Sequence, residues 1–337
     1  MSFGLNPYYR GPNKGYLRKI VRIFTSTVGA GTGLAPYENN EVDMIGLDAV
    51  FLEEVRENPA LRQELWSFEP FTTVYLYFRT RQPPFDDVRV RRAFAHAIDK
   101  EAITDIILKK TKTPAYTMLP IHFPGYVGDK YKSIQRYDPA LARRLLAEAG
   151  YPDGKGFPTE ALWLAEARSN TPGSQAAQAI QQMLQDNLGI TISLRNTETS
   201  AYRKAQYDWE MPLSIIGFNY DFPDPHSMLG IVWRSQPKGY SRHDWQNPSF
   251  DDLIDRAAGE MNSVKRMAMY DEAERLLAED AGAVFLWHEK SYSLRKPWVK
   301  GVKQDQFGSY PFYKNNTSYS DIYIGKEAGT AQRKLDY

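Results

Sequence analysis

The sequence predicts an α/β protein built in two lobes, and three observations carry that prediction. Its 337 residues exceed what one simple core organises, so two bodies of ordinary domain size are expected. An amphipathic helix over 175–188 is stopped by Gly189 and runs into an alternating strand over 190–194, which fits α/β or α+β packing and not a helical bundle. Hydrophobic residues at 42% and charged residues at 25%, with no apolar run of about 18 residues, fit a folded chain without a membrane-spanning helix.

The elements follow in order. Residues 16–24 alternate as a strand, and residues 42–45 read as a second, short one. Between them Gly29, Gly31 and Gly33 invite a dinucleotide reading that fails on spacing: GxGxxG needs glycine at 34 or 36, where Leu34 and Pro36 stand. No Lys-Ser/Thr pair follows, so a phosphate-binding P-loop fails too, and the stretch reads as a flexible connection. Residues 73–78 form a strand with Val74, Leu76 and Phe78 on one face, broken by Pro83-Pro84, where a crossing between lobes is expected. From Asp87 the spacing turns helical through Val90, Ala93, Phe94, Ala97 and Ile98, resuming at Ile103, Ile106 and Ile107. Arg89, Arg91 and Arg92 fall on the other face, as a solvated stripe.

Asp138 caps a helix with Pro139 in its first turn, Leu141, Leu145 and Leu146 buried, and Gly150 at its end. Residues 212–218 give a strand; 250–258 and 264–279 give helices, the second capped by Asn262 or Ser263. A buried strand over 283–287 is followed by a break at Lys296-Pro297-Trp298, and a short strand over 322–324 precedes a charged tail expected to fray from Lys326. No internal repeat is present.

Composition narrows function. With 42 Lys plus Arg against 41 Asp plus Glu, the net charge of +1 supplies no field for nucleic acid or an acidic membrane, so no nucleic-acid partner is expected. The absence of cysteine excludes disulfides, thiolate catalysis and cysteine-held zinc or iron–sulfur sites. The 22 Tyr, 16 Phe and 7 Trp suit the lining of a ligand cleft as well as a core. His96, His122, His226, His243 and His288 include no i, i+4 pair and no HExxH, and no GxSxG elbow occurs. No metal, cofactor or catalytic constellation can be assembled from the spacing, so an enzyme such as a carboxylate hydrolase is disfavoured. Residues 1–7 lack a basic start and an apolar stretch, so no signal peptide is read there.

One segment stands out, Gly217-Phe218-Asn219-Tyr220-Asp221-Phe222-Pro223-Asp224-Pro225, because it leaves the end of a strand and sets an ionisable Asp221 between aromatic neighbours. A carboxylate held among rings calls for a cation, either an arginine of the same chain or a ligand ammonium, and residue chemistry leaves both open. Asp224-Pro225 shapes the turn.

Several segments together resemble the extracellular solute-binding proteins of peptide ABC importers, the oligopeptide- and dipeptide-binding family. They are Asn6-Pro7-Tyr8-Tyr9 with Lys14-Gly15-Tyr16-Leu17, Glu38-Asn39-Asn40-Glu41-Val42-Asp43, Leu145 to Tyr151, Asn187-Leu188-Gly189-Ile190 and Lys296-Pro297-Trp298-Val299. The most specific is Pro83-Pro84-Phe85-Asp86-Asp87-Val88-Arg89-Val90-Arg91 with Ala93, Ala97, Ile98 and Asp99. The resemblance implies a two-lobed periplasmic-binding-protein fold of the class II-like type that closes about a hinge. It implies that Asp221 pairs with a peptide α-ammonium and that the backbone at Gly217 and Asn219 extends a strand onto the ligand. Phe218, which stands where the family has Trp, and Tyr220 flank that site, and Trp209, Trp233 and Tyr240 are further lining candidates. The family's N-terminal portion has no counterpart here, so residues 82–290 are expected to form a complete lobe. Residues 1–81 and 291–337 would then supply part of the other, a truncated form that a missing N-terminal segment or second chain would complete. The implied partners are a peptide and a membrane permease, and the implied location is the periplasm or cell surface. A nickel complex, oligosaccharide or opine as cargo, or a truncated fragment that binds nothing, are the alternatives.

Overall fold

The computed structural model describes residues 1–12, 15–23, 33–47, 49–166, 172–240, 242–302 and 319–325, with Ala49 and Pro172 described through the backbone alone. The glycines at 29 and 31 and the tail from Lys326 lie outside the described residues. The chain divides into a smaller unit, Met1–Pro70 with Lys290–Tyr337, and a larger one, Phe71–Glu289.

The crossing thus falls at Pro70/Phe71 and not at the Pro83-Pro84 break. The reason is the strand Thr72–Phe78, which pairs along its length with Leu213–Asn219 and with Ala283–His288 and so lies inside the larger unit's sheet. The proline pair ends that strand without ending the unit. The six strands run in the order Thr113–Pro114, Ala283–His288, Thr72–Phe78, Leu213–Asn219, Glu160–Ala165 and Ile192–Thr197. Pairing is antiparallel on the first side and parallel from Leu213–Asn219 outward.

Alternation gives this sheet two unlike faces. Val74, Leu76 and Phe78 join Leu213, Val284 and Leu286 on an aliphatic face. Against it pack helices Val88–Ala97, Pro139–Glu148 and Pro172–Leu188 through Val90, Phe94, Leu146, Ile180 and Leu184. The intervening residues Thr73, Tyr75 and Tyr77 are paired with Phe218, Ile216 and Ser214, so all six share the opposite, aromatic and polar face.

The helix signals translate directly. Asp87, Asp138, Asn247 and Asn262 each accept a backbone N–H of the helix that follows. The cap ahead of Ser263–Glu279 is therefore Asn262. The arginine stripe departs from expectation. Only Arg89 is exposed; Arg91 is 4% exposed and donates to the carbonyls of Phe85 at 2.9 Å, Asp280 at 2.7 Å and Ala281 at 3.1 Å. Arg92 donates to the Glu279 carbonyl at 2.6 Å. A guanidinium satisfies five donors at once, so it ties the helix to a chain turn that no periodicity reveals.

Asn247 receives the N–H groups of Ser249 and Phe250 at 3.0 and 3.1 Å, and Phe250 is a core ring edge-on to Trp245. Asn247→Ala is expected to cost about 1 kcal/mol in urea unfolding, the ordinary value of a lost cap.

In the smaller unit the strand Ser291–Arg295 pairs antiparallel with Met44–Leu47 and Leu65–Phe68. Leu34, Tyr37, Val55, Leu61 and Leu294 form its modest core. Two further ribbons join Ser2–Gly4 to Lys19–Val21 and Val299–Lys300 to Tyr323–Ile324, so the strands expected over 16–24, 42–45 and 322–324 are present but shorter or shifted. Phe3, Leu5, Tyr8, Val21 and Ile23 are exposed on this unit.

Candidate ligand-binding site

The strand Leu213–Asn219 is unequally covered. On one side every residue pairs with Thr72–Phe78; on the other, parallel pairing with Glu160–Ala165 is confined to Leu213 and Ser214. From Ile215 to Asn219 that second side carries no strand among the described residues, and Gly217 is exposed there. A strand flank of this kind is what an extended chain can add to.

The turn after Asn219 is held from several directions. Tyr220 is 1% exposed and packs edge-on against Phe71 and Phe123, with centroids 5.4 and 5.6 Å away. The N–H of Asp221 donates to Ser227 Oγ at 2.7 Å. Asp224 caps the turn Pro225–Met228 by accepting the His226 N–H at 2.9 Å, and both its oxygens receive the Arg266 guanidinium at 2.7 Å. Burial works to raise the Asp224 pKa, but the bonds from Arg266 and the His226 N–H win and hold it below the usual carboxylate range. Gly125 adopts φ +82°, and a Cβ there would meet Pro225 Cγ at 3.0 Å and Leu119 Cδ1 at 3.1 Å, so glycine alone lets the 119–125 loop close onto this turn. The Asp221 residue itself stays exposed at the rim. Its backbone N–H is thus held by Ser227, which spares a ligand part of the ordering cost.

Beneath the site lies a buried polar layer. The Thr73 hydroxyl donates to the Met118 carbonyl at 2.7 Å, so His288 Nδ1, 2.9 Å away, donates to Thr73 Oγ1. Met118 and Leu119 in turn give their N–H groups to one oxygen of Glu274, at 2.9 and 3.1 Å. Burial pushes Glu274 up to about 7 and His288 down to about 3. On the aromatic face His243 Nδ1 donates to the Val232 carbonyl at 3.3 Å, leaving Nε2 to accept from the Tyr75 hydroxyl at 2.9 Å. Burial holds His243 down at about 3 as well. Trp233 stacks on its ring at 4.1 Å and 16°.

The structure therefore gathers Gly217, Phe218, Asn219 and Asp221 at one strand end, and separates the other expected residues from them. Tyr220 and Trp233 are core side chains, each 1% exposed. Trp209 precedes Leu213 at the opposite end of the strand, under the Arg81 guanidinium at 4.7 Å; seven strand residues put it on the order of 20 Å from Asp221. Tyr240 is exposed, two residues before Arg242, whose guanidinium lies 5.4 Å from the centre of the Phe218 ring. Sequence reasoning missed Ser227, six residues after Asp221, and Arg242 and Arg266, which reach this strand end from farther along the chain and carry no local signal. Among the described residues no three His, Asp or Glu side chains converge to hold a metal, and no helix is long and apolar enough to cross a membrane.

Comparison with known proteins matches residues 1–240 to the family model for bacterial extracellular solute-binding proteins, family 5. Heme-binding protein A of Haemophilus influenzae is 30% identical over 264 residues, covering 78% of this chain and 47% of that protein. The periplasmic oligopeptide-binding protein OppA of Salmonella typhimurium is 27% identical over 302 residues, covering 88% and 54%. The chain spans about half the length of the curated relatives it matches. A solved oligopeptide-binding protein of Borrelia burgdorferi superposes with TM-score 0.78 at 25% identity, over 96% of this chain and 61% of that one. The ABC transporter-associated periplasmic binding protein DppA of Helicobacter pylori, in complex with the peptide STSA, gives 0.78 at 23% identity, over 96% and 60%.

Proposed function

Because the chain belongs to the bacterial extracellular solute-binding proteins of family 5, we propose that it captures short peptides outside the cytoplasm and delivers them to an ABC permease. The observation that carries this reading is the flank of Ile215–Asn219 that pairs with no strand among the described residues and ends in an exposed, backbone-pinned Asp221. A peptide laid along that flank pairs its main chain with Gly217 and Asn219, which gives affinity independent of sequence. Its α-ammonium meets the Asp221 carboxylate. The exposed Phe3, Leu5, Val21 and Ile23 support completion of the smaller unit by a preceding segment or a second chain.

Calorimetric titration with a free tripeptide and its N-acetylated form tests the site. A charge-assisted hydrogen bond is worth about 1.5–3 kcal/mol, so acetylation is expected to weaken binding at least about tenfold, and Asp221→Asn to remove that difference. Equal affinities for the two peptides would sink the role of Asp221. The relatives named as binding heme and deoxycholate favour a second reading, a non-peptide solute, which failure of both peptides to bind would promote.

A further inference from the structure

The turn that carries Asp221 is held by a helix that begins forty-two residues later. Along Ser263–Glu279, positions 266, 270 and 274 recur every fourth residue and so share one stripe. Arg266 gives Nη1 and Nη2 to the two Asp224 oxygens, both at 2.7 Å. Nη2 also reaches the Tyr270 hydroxyl at 3.0 Å, and Nε reaches the Ala257 carbonyl at 3.1 Å. The Tyr270 oxygen, accepting from Arg266, can give its own proton to His226 Nδ1, 3.2 Å away. One turn on, Glu274 accepts the N–H groups of Met118 and Leu119, ahead of the loop that closes on Pro225. With all three nitrogens committed the guanidinium has no freedom to turn, so Asp224 moves only with the helix.

From Asp224 the order passes to Asp221 in two short steps. The Asp224 side chain takes the His226 N–H and its carbonyl takes the Ser227 N–H, each at 2.9 Å, which places the Ser227 hydroxyl. Ser227 is fully buried, and that hydroxyl accepts the Asp221 N–H at 2.7 Å. The strand before the turn is fixed separately, by pairing with Thr72–Phe78 along its whole length.

We infer that Arg266 is a positioning residue for ammonium recognition: without touching the ligand it holds the Asp221 backbone through Asp224 and Ser227, and so sets how strongly a free N-terminus is preferred over a blocked one. This inference rests on the reading of Asp221 as the ammonium partner. On a loosened turn each ligand would have to order Asp221 itself. That cost falls on the ammonium contact alone, because the main-chain pairing at Gly217 and Asn219 belongs to the separately fixed strand.

The test is calorimetry on the full chain with Ala-Ala-Ala and N-acetyl-Ala-Ala-Ala, beside urea unfolding of each variant. The wild type is expected to favour the free peptide at least about tenfold. Arg266→Gln is expected to cut that ratio about threefold or more by weakening the free peptide alone, and Arg266→Lys, which keeps the charge without the fork, to restore part of it. Ser227→Ala severs the last step and leaves the ion pair in place. It is expected to lower the ratio as well, and adding Arg266→Gln to it to lower the ratio little further. A merely structural Arg266 shifts the urea midpoint and leaves the ratio alone, weakening both peptides equally or neither. Either pattern overturns the inference, as do additive losses in the double variant. If Arg266→Gln fails to fold, Arg266→Lys and Ser227→Ala decide by the same ratio. A wild type that binds both peptides equally, or neither, removes the Asp221 reading and this inference with it; a preference that survives every variant removes the role of Arg266 alone.

Discussion

Acidification from pH 6.5 toward pH 3 is expected to strip stability from the larger unit, because two of its imidazoles stay neutral far below their ordinary range. His243 and His288 are buried and their pKa values are held down to about 3. An unfolded chain takes up a proton at each near pH 6.5, whereas the native state does so only near 3. The stability they contribute is therefore complete above 6.5 and lost as pH falls through that window, up to about 4–5 kcal/mol each. Glu274 acts with the opposite sign. Its folded value, about 7, lies above the unfolded carboxyl value, so the native state holds one extra proton between about 4.5 and 7, and its contribution is lost as pH rises through that range. From 6.5 to 4.5 the two histidines and Glu274 together contribute a net one proton, about 1.4 kcal/mol per pH unit; below 4.5 the Glu274 difference ends and carboxylates held below their usual range, Asp224 among them, steepen the loss further.

Urea unfolding followed by tryptophan emission across pH 3–7 measures this. His243→Phe and His288→Asn are each expected to flatten the curve by close to one proton, and Glu274→Gln to steepen it between 4.5 and 6.5. A mutation that merely loosens packing lowers the whole curve without changing its slope. Unchanged slopes in both histidine variants would remove the account.

Much of this fold is legible in the sequence because its signals are local. The caps at Asp87, Asp138 and Asn262 and the alternation over 73–78 require only neighbouring residues, and they reappear within a residue or two. What stays hidden is long-range. Thr72–Phe78 is central to the larger unit because it pairs with strands some 140 and 210 positions later in the chain, so Pro83-Pro84 reads as a boundary when it is only a strand end. The same holds at the site. The run from Gly217 to Asp221 is legible as a strand leaving a sheet, and the resemblance marks it further. Arg266, forty-two positions from Asp224, and Arg242, beside Phe218, arrive through helices and turns whose packing no periodicity encodes. The aromatic residues divide accordingly: composition supplies rings without saying which face they take, and register decides that Tyr75 and Phe218 share one face while Val74 and Leu76 take the other.

Trp233 makes that division testable with a large effect. Its ring lies between His243, Tyr75, Trp245 and Phe285, and truncation to alanine is expected to cost about 3–5 kcal/mol, the range for a large buried aromatic. The indole N–H, however, has no hydrogen-bond partner. Trp233→Phe keeps an aromatic face for His243, sheds a buried unsatisfied donor worth about 1–3 kcal/mol, and gives up the volume of one ring. These offset one another, so the phenylalanine variant is expected to lie within about 2 kcal/mol of the wild type. The two roles considered for this residue then separate cleanly. A core side chain changes the urea midpoint and leaves the affinity for a tripeptide unaltered in Trp233→Phe, since Phe218 and Asp221 keep their places. A side chain that lines the ligand does the reverse, lowering affinity with little change in midpoint. Its 1% exposure and its stack on His243 favour the first outcome. A fall of tenfold or more in peptide affinity with an unchanged midpoint would instead mean that this aromatic layer opens when ligand arrives.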